Sequence, residues 1–462
     1  MSPHSQIIEA FERLSAEGPE EIAVIDGTTG DTTSRLMLVD LGRAMAHRFS
    51  WMKLLPGDRV AVQLRNSVDF IAVMIGALEA GLTVVPIDRD ATRHEVMSLI
   101  RQFGIRAVVQ HGVSDLSVHL VTEDVVPAEP IHPIPFLIKL TSGSTGRAKG
   151  VVTSEENLIE DCRNICGSMQ IRPGDRSFGA IPLSHSYGFS NLVTPLLTRG
   201  TSLVVTNDYL PLAIIDICNR LECTVVPGVP TMFEHLAQLP ESDGGFRIPP
   251  TFISAGAPLK SAVSRRFAER FGAPIHSFYG CSECGGIAYD REGRSVERGS
   301  VGHPMSGVEI RLGENDRVVV SSGAAAMGYI NASAEEQGKF AERQFSTDDI
   351  GHFDQRGELH LTGRINDLIN IAGKKVNPLE IETTILDLQG VRDCRVYGAP
   401  GGARGELVIA AVVADPAVSR DDIRRICQQK LSAYKVPRVI RIVDAIPVDE
   451  RGKVKKAELE AL

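Results

Sequence analysis

The sequence has no surplus of positive charge. Its 49 Lys+Arg are outnumbered by 58 Asp+Glu, a formal net charge of −9. That excludes a protein held to nucleic acid or anionic membrane by its bulk field and leaves only a local basic groove open. Long apolar runs are absent too. Stretches such as "LVIAAVVA" (407–414) fall far short of the roughly 20 residues of a membrane span. The opening "MSPHSQIIEAFERL" has no basic segment followed by an apolar one, so no secretory leader is expected. No repeat of fixed period runs along the chain. The eight cysteines lack zinc-finger spacing. Cys281 and Cys284 form one C-x-x-C and Cys162 and Cys166 lie close, but no second C-x-x-C or H-x3-H follows. Reduced, mostly structural thiols and a cytoplasmic location are the expectation.

What is present is ordinary in bulk and informative in order. With 462 residues, 43% hydrophobic and 23% charged, the chain is a soluble globular type too long for one core, so two or more domains are expected. Strand-like runs, "RVAVQL" (59–64), "TVVPI" (83–87), "AVVQ" (107–110), "SLVVT" (202–206) and "CTVVPG" (223–228), alternate with segments read as amphipathic helices, 69–81 and 209–222. This predicts an α/β architecture with buried sheets. After about residue 300 short strands dominate, as in "VEIRL", "RVVVSS" and "GELHLTG", and an α+β portion closes the chain. A boundary is placed near 365, giving domains 1–365 and 366–462.

The most distinctive stretch is "TSGSTGRAKG" (141–150). Glycines, hydroxyls and a lysine suit phosphate oxygens. It is not a Walker P-loop: Ala148 stands where the second glycine belongs, and Gly150 where the Mg²⁺-binding hydroxyl belongs. The loop joins two strand-like runs, "PFLIKL" and "GVV", and the next helix is expected behind a Thr153/Glu156 capping box.

"LTSGSTGRAKG" resembles the phosphate loop of the adenylate-forming superfamily, which holds acyl-CoA synthetases, peptide-synthetase adenylation domains and luciferases. It is followed, in that superfamily's order, by "IPLSHSYG" (181–188), "SAGAPL" (254–259), "FYGCSE" (278–283), "STDDIG" (346–351), "LTGRINDLINIAGKKVNPLEIE" (361–382) and "GKVKK" (452–456). The resemblance implies a large N-terminal domain of several α/β subdomains with a small distorted β-barrel, and a small mobile α+β C-terminal domain. It also implies a two-step reaction. A carboxylate attacks the α-phosphorus of ATP and pyrophosphate leaves; a thiol then takes the acyl group and AMP leaves. Both steps build charge on oxygen, so positioned cations and donors matter more than an acid/base pair.

By that resemblance Thr141, Ser142, Gly143, Ser144, Thr145, Gly146 and Lys149 grip the β- and γ-phosphates. Glu283 is the Mg²⁺ ligand, since a hard cation between phosphates wants a carboxylate. Ser282 bonds the α-phosphate. Tyr279 lies against adenine, with Gly256 and Ala257 at its edge and Ser277 and Gly280 on the same nucleotide-binding strand. Taken alone, Tyr279 reads as core and Glu283 as a solvated side chain. Asp349 resembles the ribose-binding aspartate and Arg364 its partner; Asp348 stands where glycine is usual. Lys453 is the catalytic lysine implied for adenylation, although Lys455 and Lys456 beside it also fit a solvated basic tail. Asn366 matches the domain pivot, and Gly373 the wall of the thiol tunnel.

His185 resembles an acyl-pocket gate with a catalytic role, and Ser186, Tyr187, Gly188, Val229 and Gly285 belong to the same pocket. Amino-acid-activating relatives carry an aspartate where this chain has Ser186. A buried ammonium without a carboxylate is costly, so a neutral fatty or aromatic acid is expected. The implied cofactors are ATP, Mg²⁺ and coenzyme A or a carrier-protein phosphopantetheine. Three readings stand: an acyl-CoA synthetase, a stand-alone enzyme loading an acyl carrier protein, and a non-catalytic nucleotide-binding homologue. A luciferase-type monooxygenase is more distant. No nucleic acid and no membrane span are expected, and the protein is a monomer or homodimer.

Overall fold

The computed structural model describes residues 5–112, 116–121, 130–142, 148–371, 374–400, 406–448, 454–455 and 458–459. The chain forms two compact units. The first is Met1–Ile310 with Val320–Phe345, the second Arg311–Val319 with Ser346–Leu462. The second unit contains the expected 366–462 domain together with Arg311–Val319 and residues 346–365.

Two sheets organise the first unit. In the nine-stranded sheet, Ile275–Cys281, Thr251–Ser254, Val225–Gly228, Arg176–Gly179, Ser202–Val205 and Ile22–Asp26 run parallel in that spatial order. Gly285–Tyr289 continues the edge antiparallel to Ile275–Cys281. Both faces of the inner strands are covered, and Ser202–Val205 and Val225–Gly228 are buried at every position. The seven-stranded sheet places Gly328–Ile330, Ala148–Thr153, Leu137–Ser142, Thr83–Pro86, Arg59–Gln63, Ile105–His111 and Leu116–Leu120 side by side.

The sequence expected amphipathic helices over 69–81 and 209–222. The second forms as Pro211–Arg220, with Ile214, Ile215, Ile217 and Cys218 buried. The first, Val68–Glu79, is buried from Phe70 through Leu78 without a break. It is a core helix, apolar all round, because other elements cover every side. The expected Thr153/Glu156 box is corrected by one residue. The helix Glu155–Met169 is capped by Ser154, reciprocated by Asn157. Thr153 still belongs to the strand and is 1% exposed, so its hydroxyl is not at the helix end.

In the second unit, Gln344–Phe353 pairs antiparallel with Leu359–Arg364. A three-stranded sheet joins Val391–Pro400, Glu406–Ala414 and Val439–Ile442. The helices Pro378–Leu386 and Arg420–Lys430 bury Ile381, Ile385, Ile423 and Cys427 in a core with Val396, Val408, Ala410 and Val412. No helix among the described residues is long and apolar enough to cross a membrane.

Candidate active site

In an open parallel sheet ligands bind beyond the carboxyl ends of the strands. The segments singled out in the sequence sit at that edge of the nine-stranded sheet. Ile181–Gly188 follows Arg176–Gly179, Val229 follows Val225–Gly228, and Ala255–Gly256–Ala257 follows Thr251–Ser254. Tyr279 and Gly280 lie in the last turn of Ile275–Cys281, and Ser282 and Glu283 in the reverse turn behind it. Two of these loops touch directly: Ser186 Oγ and Ser282 Oγ are 2.7 Å apart. Gly256 has φ +89°, and a Cβ there would sit 3.7 Å from Val229 Cγ1. The Tyr187 ring lies 5.6 Å from Phe278, tilted by 46°, and its hydroxyl donates to the Ile253 carbonyl at 3.0 Å. Burial pushes that phenol up, so Tyr187 offers a neutral ring with its polar end already engaged. His185 Nε2 lies 3.6 Å from Asp88 Oδ2. Ser277 is paired with Ser254 across the parallel strands.

Glu283 does not face solvent alone. Tyr329 Oη donates to Glu283 Oε1 at 2.7 Å, and the Glu283 carbonyl accepts from Ala326 N at 2.8 Å. Tyr329 lies on Gly328–Ile330, which pairs antiparallel with Ala148–Thr153 so that Tyr329 faces Val151. Lys149, two residues from Val151, shares that face, and its Nζ lies 5.5 Å from the Tyr329 ring centroid. Lys149 also forms an ion pair with Glu336, the side chains being 15% and 19% exposed. The hydrogen bond from Lys149, with backbone bonding at Ser333, holds the Glu336 carboxyl down at about 2. A partly covered carboxylate beside a lysine and a phenol fits a divalent cation and phosphate oxygens.

Beneath the Ser282–Glu283 turn lies a support that no motif announced. Asp161, 2% exposed on the helix Glu155–Met169, accepts from Gly286 N through Oδ1 at 2.9 Å. Lys139, 6% exposed, has its ammonium form disfavoured by burial, opposed by the charge of Asp161 and then of Glu283. Cys281 and Cys284 have their sulfurs 3.3 Å apart as free thiols. The hydrogen bond with Cys284, in which Cys281 keeps its proton, and burial push Cys281 well up, which opposes the thiolate that a metal or a redox cycle needs. A groove of about 440 Å³ lined by Arg172, Asp175, Thr224, Thr251, His276 and Arg291 lies at the opposite, amino-terminal edge of these strands.

In the second unit, Asp349 and Arg364 face each other across paired strands, and Arg364 Nε donates to Asp349 Oδ1 at 2.7 Å. Asp349 is buried at 8% exposure. Strand alternation puts Asp348 on the other face, where its Oδ2 accepts from Asn366 Nδ2 at 2.8 Å. Asp354, Glu358 and His360 also draw together, with ligand atoms within 4.8 Å. Asp354 already accepts from the backbone N–H of Arg356 and Glu358 and lies 3.4 Å from His360, the bonding of a hairpin turn. Gly143, Ser144, Thr145, Gly146, Gly373, Lys453 and the side chain of Ser142 lie outside the described residues. Tyr329, Glu336, Asp161 and Lys139 were missed in the sequence. Only Glu336 had a local signal, the Ser333-x-x-Glu336 capping box.

The chain belongs to the AMP-binding enzyme family: residues 11–331 match that family and residues 380–453 its C-terminal domain. It is thus a member of the adenylate-forming superfamily. It is 26% identical over 481 residues to a feruloyl-CoA synthase of Amycolatopsis sp, covering 97% of each chain. It is 27% identical over 410 residues to a 3,4-dihydroxybenzoate–[aryl-carrier protein] ligase of Bacillus anthracis, covering 87% of this chain and 91% of that one. The ATP-bound structure of MatB from Rhodopseudomonas palustris superposes with a TM-score of 0.85 at 26% identity, covering 98% of each chain.

Proposed function

We propose that the protein is an acid–thiol ligase that activates a neutral carboxylic acid, fatty or aromatic, with ATP and passes the acyl group to coenzyme A. In the first half-reaction a carboxylate oxygen bonds to the α-phosphorus and the bond to pyrophosphate breaks. In the second the thiol sulfur bonds to the acyl carbon, AMP leaves with the bonding pair, and the thiol proton goes to solvent.

The observation that carries the neutral-acid reading is Ser186. Its hydroxyl is hydrogen-bonded to Ser282, where an amino-acid pocket would need a carboxylate. The Tyr187 ring and Val229 line the same edge with no charge of their own. Lys149 and Thr141, paired across the hairpin Leu137–Ser142/Ala148–Thr153, stand ready for the outer phosphates, Ser282 for the α-phosphate, and Tyr279 with Gly256 and Ala257 for adenine. Glu283, oriented by Tyr329, would hold Mg²⁺, which supplies charge neutralisation on the phosphates when bound. The Asp349–Arg364 pair is the proposed ribose-binding pair. Lys453 is the proposed adenylation lysine and Asn366 the pivot of a moving C-terminal domain that begins near 366.

The likeness to a carrier-protein ligase favours a second acceptor, an acyl carrier phosphopantetheine. The test is acid-dependent ATP–pyrophosphate exchange with acetate, octanoate, palmitate, benzoate and several amino acids. Exchange with one neutral class, followed by thioester formation with coenzyme A, is the expected result. Exchange with amino acids alone overturns the neutral-acid reading. Exchange without transfer to coenzyme A, but with transfer to a carrier, selects the second acceptor. No exchange in a sample that binds ATP leaves an acid outside the panel or the non-catalytic reading, and an added carrier protein is then tried.

A further inference from the structure

The carboxylate of Glu336 is bound from two directions. Oε2 accepts from Ser333 N at 2.9 Å and lies 3.0 Å from Ser333 Oγ. Ser333 Oγ in turn accepts from Glu336 N at 3.2 Å. These bonds close the capping box of the short helix Ala334–Gln337. That helix is fastened to the neighbouring strand, since Gln337 Oε1 accepts from Tyr329 N at 2.9 Å. Oε1 of the same carboxylate meets the Lys149 ammonium. The anion is therefore fixed, whereas its partner ends a four-carbon stem free to turn about several bonds.

A lysine that turns from a carboxylate to a triphosphate exchanges one negative charge for several, and a carboxylate left beside those phosphates is repelled by them. We infer that Glu336 is the resting-state counter-ion of Lys149, a positioning residue that holds the ammonium over the Tyr329 ring and releases it when the nucleotide's phosphates arrive. The inference rests on the reading of Lys149 as a phosphate ligand. Pairing with Glu336 keeps a charged lysine ordered in an empty site, and part of the nucleotide's binding energy is spent on breaking that pair. The side chains are 15% and 19% exposed, so the pair is screened only in part.

The informative variant is Glu336→Gln. Glutamine also completes a capping box, so the charge is removed while the helix start is kept. ATP affinity is measured by calorimetric titration with Mg²⁺ and no acid, beside the Tm of each protein. The expected result is about fivefold tighter ATP binding in Glu336→Gln, the upper range for releasing one partly screened ion pair. In a Lys149→Ala background the same substitution should change affinity much less, leaving only the repulsion that Glu336 exerts on the phosphates. A merely structural role predicts a lower Tm with affinity unchanged or weakened, and that result overturns the inference. Glu336→Ala serves as a second variant: its lost cap is read in Tm, and its affinity should move the same way. A wild type that binds no ATP sinks the nucleotide reading and the inference with it. A wild type that binds ATP with an affinity untouched by Glu336→Gln sinks the inference alone.

Discussion

Gly285 passes so close to Asp161 that a Cβ at this position would stand 2.2 Å from Asp161 Oδ1. Its φ is +70°, a left-handed conformation costing a side-chain-bearing residue about 1–2 kcal/mol. Gly285→Ala should therefore destabilise the protein by about 2–4 kcal/mol and shift the turn carrying Ser282 and Glu283, lowering exchange activity as well. Urea denaturation and ATP–pyrophosphate exchange on the same variant check both. Asp161→Ala leaves Gly286 N without its acceptor and should cost about 1–3 kcal/mol, with Asp161→Asn milder.

Tyr329 orients Glu283, so Tyr329→Phe should raise the Mg²⁺ concentration for half-maximal exchange a few-fold while costing only about 1 kcal/mol of stability. Glu283→Gln should lower exchange about a hundredfold or more. Chelation with EDTA should stop activity until Mg²⁺ is restored. If zinc alone restored it, Cys281 and Cys284 would have to be reconsidered as ligands.

Glu336 has its pKa lowered from 4.5 to about 2, chiefly by the hydrogen bond from Lys149. A depressed carboxylate contributes stability in full above its unfolded value and loses it as pH falls toward the folded one. The stability difference between the wild type and Glu336→Gln should thus be flat above about pH 5 and shrink as pH falls below 4.5. Denaturant melts from pH 7 to pH 3.5 give the comparison. Growth of the difference on acidification would contradict the pairing with Lys149.

Adjacent aspartates should have separable phenotypes. Asp349→Asn removes the charge that holds Arg364 and should weaken AMP binding about ten- to hundredfold, the range for a charged hydrogen bond. Asp348→Asn should leave AMP affinity unchanged and alter only steps that need Asn366 to move. AMP titration and single-turnover thioester formation separate the two.

Lys453→Ala should lower adenylate formation by orders of magnitude and spare transfer of acyl from a preformed adenylate to the thiol. Equal loss in both half-reactions, measured by rapid quench, would remove the proposal that this lysine serves only the first.

Much of the scaffold was legible because buried parallel strands leave short apolar runs, as "SLVVT" does over Ser202–Val205 and "CTVVPG" over Val225–Gly228; "VEIRL" and "RVVVSS", which carry polar residues, also match their strands end to end. The pairing of Leu137–Ser142 with Ala148–Thr153 was legible because no helix signal follows Lys149 directly. Which of Asp348 and Asp349 pairs with Arg364 was unsettled in the sequence, and the two-residue period of the strand decides it. Other features had no local trace. Glu336 and Lys149 are brought together by strand pairing, and Asp161 reaches Gly286 from a distant helix. The helix Val68–Glu79 showed an apolar pattern whose completeness depends on neighbours that the pattern does not contain. The helix start moved from Thr153 to Ser154 because both are hydroxyl residues in sequence, and only the strand's end chooses between them.

The loops at the carboxyl edge of the nine-stranded sheet are each attached to a different strand: Ile181–Gly188 to one, Val229 to the next, Ala255–Ala257 to a third, and Ser282–Glu283 to a fourth. Under the proposed function, acid preference would be set loop by loop. A laboratory seeking a different substrate can exchange one loop at a time, keeping the sheet as a constant chassis, and should begin with the loop around Ser186, rebuilding its bond to Ser282 together with the Tyr187–Ile253 bond and the His185–Asp88 contact.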